Sequence, residues 1–288
     1  MLILCKKKLV GSMKISKNAI PFLLLFIFHF CLFLFTFKRK SHRNTVILLL
    51  SNIGFAFIFE YLTLNLFHGY RYKPDIFKKR FFDNILGAIL SQAIYVPITA
   101  TFLTVTKKNW KWKICASFIY YCIEKLFIFL KIYKVYWWKP VFTLVLLNGY
   151  FYISDGFYRA LSSQRRWALA IGHYFSILVI WIMYMYVSAL RRKVRFGLGH
   201  FHSWTEHFKS IPLYSLLLSL IAFATSRKHK FVYRLLLPTI HIILDKFLKK
   251  IGVLKINFRY SIGALPWYAF MVYVSRFLYK IIYRKQDA

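Results

Sequence analysis

Acidic residues inside long apolar stretches are the first candidates for chemistry in this chain: Glu60, Glu124, Asp155 and Asp245. A carboxylate is costly to place in a hydrocarbon environment, so such acids usually form ion pairs, line a polar path or bind a ligand. Asp155 and Arg159 are four residues apart and could pair on one helix face. Arg276 is the alternative partner for Asp155, from a distant helix. We favour a structural ion pair over a proton or ion relay.

Two of these acids are each followed directly by a lysine, in Glu124-Lys125 and Asp245-Lys246. Adjacent residues point about 100° apart on a helix, so the acid and the lysine cannot share a face. We predict that each acid packs against a neighbouring helix. Each lysine would then extend toward the lipid headgroups.

The densest group of potential metal ligands lies just after residue 199 and comprises His200, His202, Glu206 and His207. On a helix, His202 and Glu206 would share a face, as would His200 and His207. A catalytic zinc site needs three converging ligands and an open position for water. Because the spacing matches no established zinc motif, we favour an ordinary interfacial loop and keep a metal-dependent membrane enzyme as an alternative.

A basic loop follows the second apolar run and contains Arg71, Lys73, Lys78, Lys79 and Arg80. Such a loop could bind a phosphate or a lipid headgroup, although an interfacial loop of ordinary composition is the simpler interpretation. The sequence contains no Walker loop, dinucleotide-binding fingerprint or nucleophile elbow. These absences argue against an enzyme without deciding the question, and no cofactor is predicted.

The composition indicates which elements must position these residues. The chain has 288 residues, of which 59% are hydrophobic and 21% aromatic, a mixture too apolar for a water-soluble domain. Its 43 Lys and Arg outnumber 8 Asp and Glu, and they cluster between the apolar runs. There each would gain about 1 kcal/mol near anionic lipid headgroups, which are the predicted partner surface. Since no polar segment is long enough to form a nucleic-acid-binding domain, we exclude that function.

Nine apolar runs predict membrane helices, at residues 20–37, 45–67, 84–106, 114–130, 141–161, 167–190, 211–226, 231–248 and 261–283. The first run is long enough to cross a hydrocarbon core and has no small-residue cleavage site, so we interpret it as an anchor. The runs at 114–130, 141–161 and 231–248 carry charged residues, so interfacial rather than buried ends are an alternative for these three runs. The fold class that follows is an all-α polytopic transmembrane bundle of about nine helices, with a range of seven to nine.

An internal repeat is indicated by a constant offset of 121 residues, which aligns Glu124-Lys125 with Asp245-Lys246. Both copies have a basic and aromatic entry, then the acid-lysine pair, a basic loop and a Ser-x-x-x-Tyr exit. We therefore predict a leader helix in residues 1–43 and four-helix modules in residues 44–164 and 165–288. Modules with an even number of crossings would be parallel rather than inverted.

A resemblance rests on Lys73-Pro74, the helix containing Glu124-Lys125, the segment Tyr136-Trp137-Trp138 and the exit at Phe157-Tyr158. In these features the chain resembles a group of uncharacterised multi-pass membrane proteins of spore-forming Gram-positive bacteria. The resemblance covers about a third of the chain, from Glu60 to Tyr158. It implies a bacterial cell-membrane location and no particular activity.

Taken together, these features predict a multi-pass cell-membrane protein, more typical of a binding or interaction protein than of an enzyme. A membrane protein partner is a further expectation. A transporter or channel-like protein that uses the buried acids is the main alternative. The distribution of basic residues slightly favours a cytoplasmic N-terminus.

Overall fold

The computed structural model describes residues 16–39, 42–191, 194–197, 202–228, 230, 232–256 and 265–284. Within these ranges the chain forms nine helices. Helix α1 is Ala19–Arg39, and α2 is His42–Glu60 continued by a π-helix at Tyr61–Leu66. Helix α3 consists of Arg80–Ile89, a π-helix at Leu90–Tyr95, and Val96–Val105. The others are α4 (Trp110–Phe129), α5 (Pro140–Ser162), α6 (Arg166–Leu190), α7 (Trp204–Ser226), α8 (Val232–Lys250) and α9 (Leu265–Tyr283). The prediction of an all-α fold with about nine helices is confirmed.

Helix starts follow local sequence chemistry. Asn109 caps α4 by accepting a hydrogen bond from the Trp112 backbone N–H. Pro140 opens α5, where its missing N–H costs no intrahelical bond. Ser203 and Glu206 form a reciprocal capping box at the start of α7.

Four three-residue strands pair in the basic loops between the helices. Strand β1 (Tyr70–Tyr72) pairs antiparallel with β2 (Tyr133–Val135), and β3 (Val194–Phe196) pairs antiparallel with β4 (Leu254–Ile256). Arg71 stands opposite Lys134 in the first pair, and Arg195 stands opposite Lys255 in the second. The sequence analysis did not predict these strands, because three residues are too few to show an alternating pattern.

The elements follow the same order twice. The first half runs α2, β1, α3, α4, β2, α5, and the second half runs α6, β3, α7, α8, β4, α9. Helices α2 and α6 lie side by side and run in the same direction. Gly172 of α6 lies against Ile47 of α2, and Phe175, further along α6, lies against Gly54, further along α2. This is the order that a parallel tandem repeat would produce. The duplication itself and its boundary at residue 164 stay predictions.

Five of the described helices are long and apolar enough to cross a membrane: Ala19–Lys38, Arg43–Leu66, Arg80–Val105, Arg166–Leu190 and Trp204–Ser226. Of these five, helix α1 is the least buried, and side chains such as Leu24 and Phe28 are exposed on its surface. An apolar surface of this extent is stable only in lipid, so the protein is membrane-embedded. Helices α4, α5, α8 and α9 are not among these five, and whether they cross stays a prediction.

The close contact between α2 and α6 leads to a stability prediction. A methyl group added at Gly54 would lie 2.5 Å from Cγ of the buried Phe175. We expect Gly54→Ala to lower the free energy of unfolding by about 1–3 kcal/mol through overpacking. Gly156→Ala is the matched control, because a Cβ there meets no atom within 4 Å and alanine favours a helix. Equal thermal unfolding of the two variants in detergent would contradict the prediction.

Candidate functional site

A cavity of about 570 Å³ lies within the first half, next to α1. Its walls come from several elements, represented by Phe22 of α1, Phe59 of α2, Gln92 of α3, Glu124 of α4 and Tyr150 of α5. This volume is in the range of pockets that enclose a small organic ligand. No Lys, Arg or His is among the residues described as lining it.

One wall of the cavity is aromatic and is built by the first strand pair. Tyr70 and Tyr72 are two residues apart on β1 and therefore project to the same face. The ring centroid of Tyr133 on β2 lies 5.2 Å from that of Tyr70 and 5.1 Å from that of Tyr72. The Trp138 ring lies 5.4 Å from Tyr70. The strand pairing thus presents a continuous aromatic surface to the cavity.

Gly87 of α3 allows this wall to pack closely. A Cβ at position 87 would lie 2.3 Å from the Tyr72 Cβ, a distance that no side chain could accept. The requirement for glycine is therefore steric: α3 and β1 approach each other here without an intervening side chain.

Glu60 lies behind the aromatic wall at the end of the α-helical part of α2. Its Oε2 accepts hydrogen bonds from the Tyr70 hydroxyl at 2.5 Å and from Gln92 Nε2 at 3.0 Å. Its Oε1 is buried, and none of the described residues forms a hydrogen bond with it. Burial, followed by the nearby Glu60 carboxylate, raises the pKa of Tyr70 well above its ordinary value of 10.0. Tyr70 therefore stays protonated and acts as a donor.

Glu124 lines the cavity directly. Thr143 Oγ1 donates a hydrogen bond to its Oε2, and Trp138 Nε1 donates to Thr143 Oγ1 at 3.1 Å. The other oxygen, Oε1, is buried and has no hydrogen-bond partner among the residues that the structure describes. Lys125 is exposed and lies 5.8 Å from the Tyr121 ring centroid. A carboxylate thus faces an apolar cavity, while the adjacent lysine points away from it.

Asp245, which stands 121 residues after Glu124, has a different environment. Its carboxylate accepts hydrogen bonds from the hydroxyls of Tyr214 and Tyr268, and its Oδ2 lies 3.2 Å from His241 Nδ1. Lys246 is exposed. The surrounding space contains the fully buried Trp181. The second half therefore surrounds its acid with side chains of its own.

A comparison at the same offset shows how the two halves differ. Tyr268 and Trp267 correspond to Leu147 and Leu146, which line the first-half cavity. Trp267 stacks on Tyr184 with ring centroids 3.9 Å apart. Aromatic rings thus occupy positions in the second half where the first half has aliphatic side chains beside open space.

Asp155 does not pair with either predicted arginine. Among the ion pairs of the described residues, its partner is Lys113, and Thr104 Oγ1 donates to its Oδ1 at 2.7 Å. Arg159 is exposed, whereas Arg276 Nη1 donates to the Lys228 carbonyl oxygen at 2.9 Å. Both predicted pairings are therefore wrong. The physical reason is that α4 turns Lys113 inward beside α5, while Arg159 lies on the outer face of α5.

The buried face of α4 carried a signal for the correct partner. Lys113, Ser117, Glu124 and Phe127 are all buried, at spacings that place them on one side of the helix. The spacing of Lys113 and Glu124 on one helix face would have predicted that Lys113 points into the interior together with Glu124.

The described members of the predicted metal cluster have structural roles. The ring nitrogens of His202 lie 2.9 Å from the Gly252 carbonyl oxygen and 3.2 Å from the Arg195 carbonyl oxygen. His207 Nδ1 accepts from the Phe196 N–H at 2.9 Å, and Glu206 caps α7. His200 lies outside the described residues. Within the part of the chain that the structure describes, no three His, Cys, Asp or Glu residues are grouped to hold a metal.

The predicted headgroup-binding residues lie away from the cavity lining. Arg71 is on β1, the Lys73 backbone N–H donates to the Ile132 carbonyl oxygen at 2.8 Å, and Lys79 Nζ lies 5.7 Å from the Trp204 ring centroid. Lys78 and Arg80 are exposed. Headgroup binding by these residues stays a prediction.

Asp83 organises the same loop and was missed by the sequence analysis. Its carboxylate accepts backbone hydrogen bonds from Asp75, Ile76 and Phe77 at 2.8, 2.8 and 3.0 Å. An acid in the first turn of a helix, after a run of loop residues, is the signal that could have identified it.

Comparison with known protein families, with curated proteins and with solved structures gave no match for this chain.

Proposed function

We propose that this protein is a membrane-embedded binding protein whose first half holds a hydrophobic or amphipathic small molecule. The observation that carries the proposal is the cavity of about 570 Å³, lined by aromatic and aliphatic side chains around the carboxylate of Glu124. Apolar cavities with a few placed polar groups are the usual form of small-molecule sites. A cell-membrane location, with basic loops at anionic headgroups, belongs to the same proposal.

The environments of the acids support binding over transport. Asp155 is paired with Lys113, and Asp245 is held by two tyrosines and a histidine. Glu124 lines the cavity and Glu60 lies behind its aromatic wall, and both belong to the first half.

Filling the cavity tests the proposal. Leu146→Trp combined with Leu147→Tyr places in the first half the residues found at positions 267 and 268. We expect this double variant to retain an uncharged monoacylglycerol at least about tenfold more weakly than the natural protein in native mass spectrometry, a loss of about 1.4 kcal/mol. The cause is the bulk added to the cavity wall and the phenol brought near Glu124.

The matched control carries the same changes on the exposed surface of α7. Leu217 and Leu220 are exposed and are not among the residues described as lining the cavity, so Leu217→Trp with Leu220→Tyr should leave retention unchanged. Thermal unfolding verifies that both variants are folded. Undiminished retention by the folded cavity variant would refute the proposed site.

A further inference from the structure

We infer that the ligand of the first-half cavity carries an organic ammonium group, which the Glu124 carboxylate receives beside the tyrosine wall. This inference rests on the proposed function and adds the chemical class of the ligand. An amphiphile with an aliphatic chain and a cationic nitrogen fits the arrangement.

One oxygen of the Glu124 carboxylate is held by hydrogen bonds within the protein, and the other is available to a ligand. Thr143 and Trp138 fix Oε2 through successive hydrogen bonds, so the orientation of the carboxyl group is set before a ligand arrives. Oε1 is buried without a donor from the described part of the chain. A buried carboxylate without a direct ion pair among the described residues is costly, and an ammonium group would offset this cost by supplying an opposite charge in contact with it.

The aromatic wall favours the same charge. Tyr70, Tyr72, Tyr133 and Trp138 all line the cavity with Glu124. The faces of such rings attract a cation placed within about 6 Å, with a gain that increases when water is excluded. Tyr72 and Tyr133 stay neutral, because burial raises the pKa of each well above 10.0.

The distribution of charge in the protein disfavours an anionic ligand. The chain has 43 Lys and Arg and 8 Asp and Glu, yet the described cavity lining contains an acid and no basic residue. Glu60 adds a second carboxyl group behind Tyr70. A phosphate or carboxylate headgroup would find no basic partner among these lining residues and would be repelled.

In the second half, the acid at the corresponding position is Asp245, and its partners are side chains of the protein itself. Asp245 has His241 at 3.2 Å and receives hydrogen bonds from Tyr214 and Tyr268. At the position of His241, the first half has Tyr120, whose hydroxyl lies 3.0 Å from His29 Nε2 and is thus directed to α1. The first half therefore leaves its acid open to a partner from outside the chain.

Binding of chain-matched amphiphiles tests the inference. We would measure dodecyltrimethylammonium, dodecanol and dodecanoate with the protein in nanodiscs, corrected for protein-free nanodiscs. We expect the ammonium compound to bind at least about tenfold tighter than the alcohol, and dodecanoate to bind most weakly. Glu124→Gln should abolish the preference for the ammonium compound over the alcohol. Lys125→Met, at the adjacent exposed position, should preserve the preference.

Phosphatidylethanolamine in a fourth arm separates a bilayer lipid from a free amine. Because its phosphate has no basic partner in the cavity lining, we expect the single-chain ammonium to bind tighter. Tighter binding of the phospholipid would identify the ammonium source as a lipid headgroup. Equal binding of ammonium and alcohol, or a preference that survives Glu124→Gln, would overturn the inference and leave the proposed function standing. If none of the amphiphiles bound, the proposed function itself would fail.

Discussion

Replacing Asp155 with asparagine should lower the free energy of unfolding by about 3–5 kcal/mol, because it removes the partner of a buried cation. The Lys113 side chain is 5% exposed and its ammonium pairs with Asp155. Its other close contact is the Tyr152 ring, whose centroid lies 4.4 Å from Nζ. That contact cannot replace a carboxylate. Chemical or thermal unfolding in detergent measures the loss.

Two further variants isolate the ion pair. Removing both charges, by Lys113→Met with Asp155→Leu, should recover most of the lost stability, since no unpaired charge stays buried. Lys125→Met removes an exposed lysine from the same helix and should change stability by less than about 0.5 kcal/mol. If Asp155→Asn unfolded at the same point as the natural protein, the pair would have no structural role.

Asp245→Asn should cost about 2–4 kcal/mol, whereas Glu124→Gln should change stability by less than about 1 kcal/mol. Asp245 is 9% exposed and accepts hydrogen bonds from two tyrosines while facing His241. An amide oxygen and nitrogen cannot satisfy all three groups. Glu124 accepts a hydrogen bond from Thr143, which the amide oxygen of glutamine can still accept.

These two changes form a matched pair, because each neutralises an acid with little change in size at positions 121 residues apart. Unfolding in the absence of added ligand gives the comparison. Equal losses would mean that Glu124 is as firmly bound by the protein as Asp245. The account of an open acid in the first half would then be incorrect.

The helices could be predicted from the sequence because a membrane helix is a long and continuous signal. All nine predicted runs coincide with helices of the described structure, including the charged run that contains Asp155. The strand pairs could not be predicted in the same way. Each is three residues long and is stabilised by a partner about 60 residues away, as with Tyr72 and Tyr133.

The types of residue in the candidate site could be predicted from the sequence, but the residues with which they interact could not. Acids in apolar runs marked Glu60 and Glu124 correctly as buried residues. The sequence could not show that Lys113 rather than Arg159 reaches Asp155, because that depends on the packing of α4 against α5. The tyrosine wall depends in turn on strand pairing and on the close approach allowed at Gly87.

The most direct test of the central claim is photocrosslinking of an uncharged diazirine-bearing alkyl probe, with the labelled peptides mapped by mass spectrometry. We predict that labelling concentrates on cavity residues such as Ile123 and Leu147, and that the Leu146→Trp, Leu147→Tyr variant loses it. Labelling confined to lipid-facing positions such as Leu24 and Phe28, and unchanged in that variant, would contradict a ligand-binding cavity in the first half.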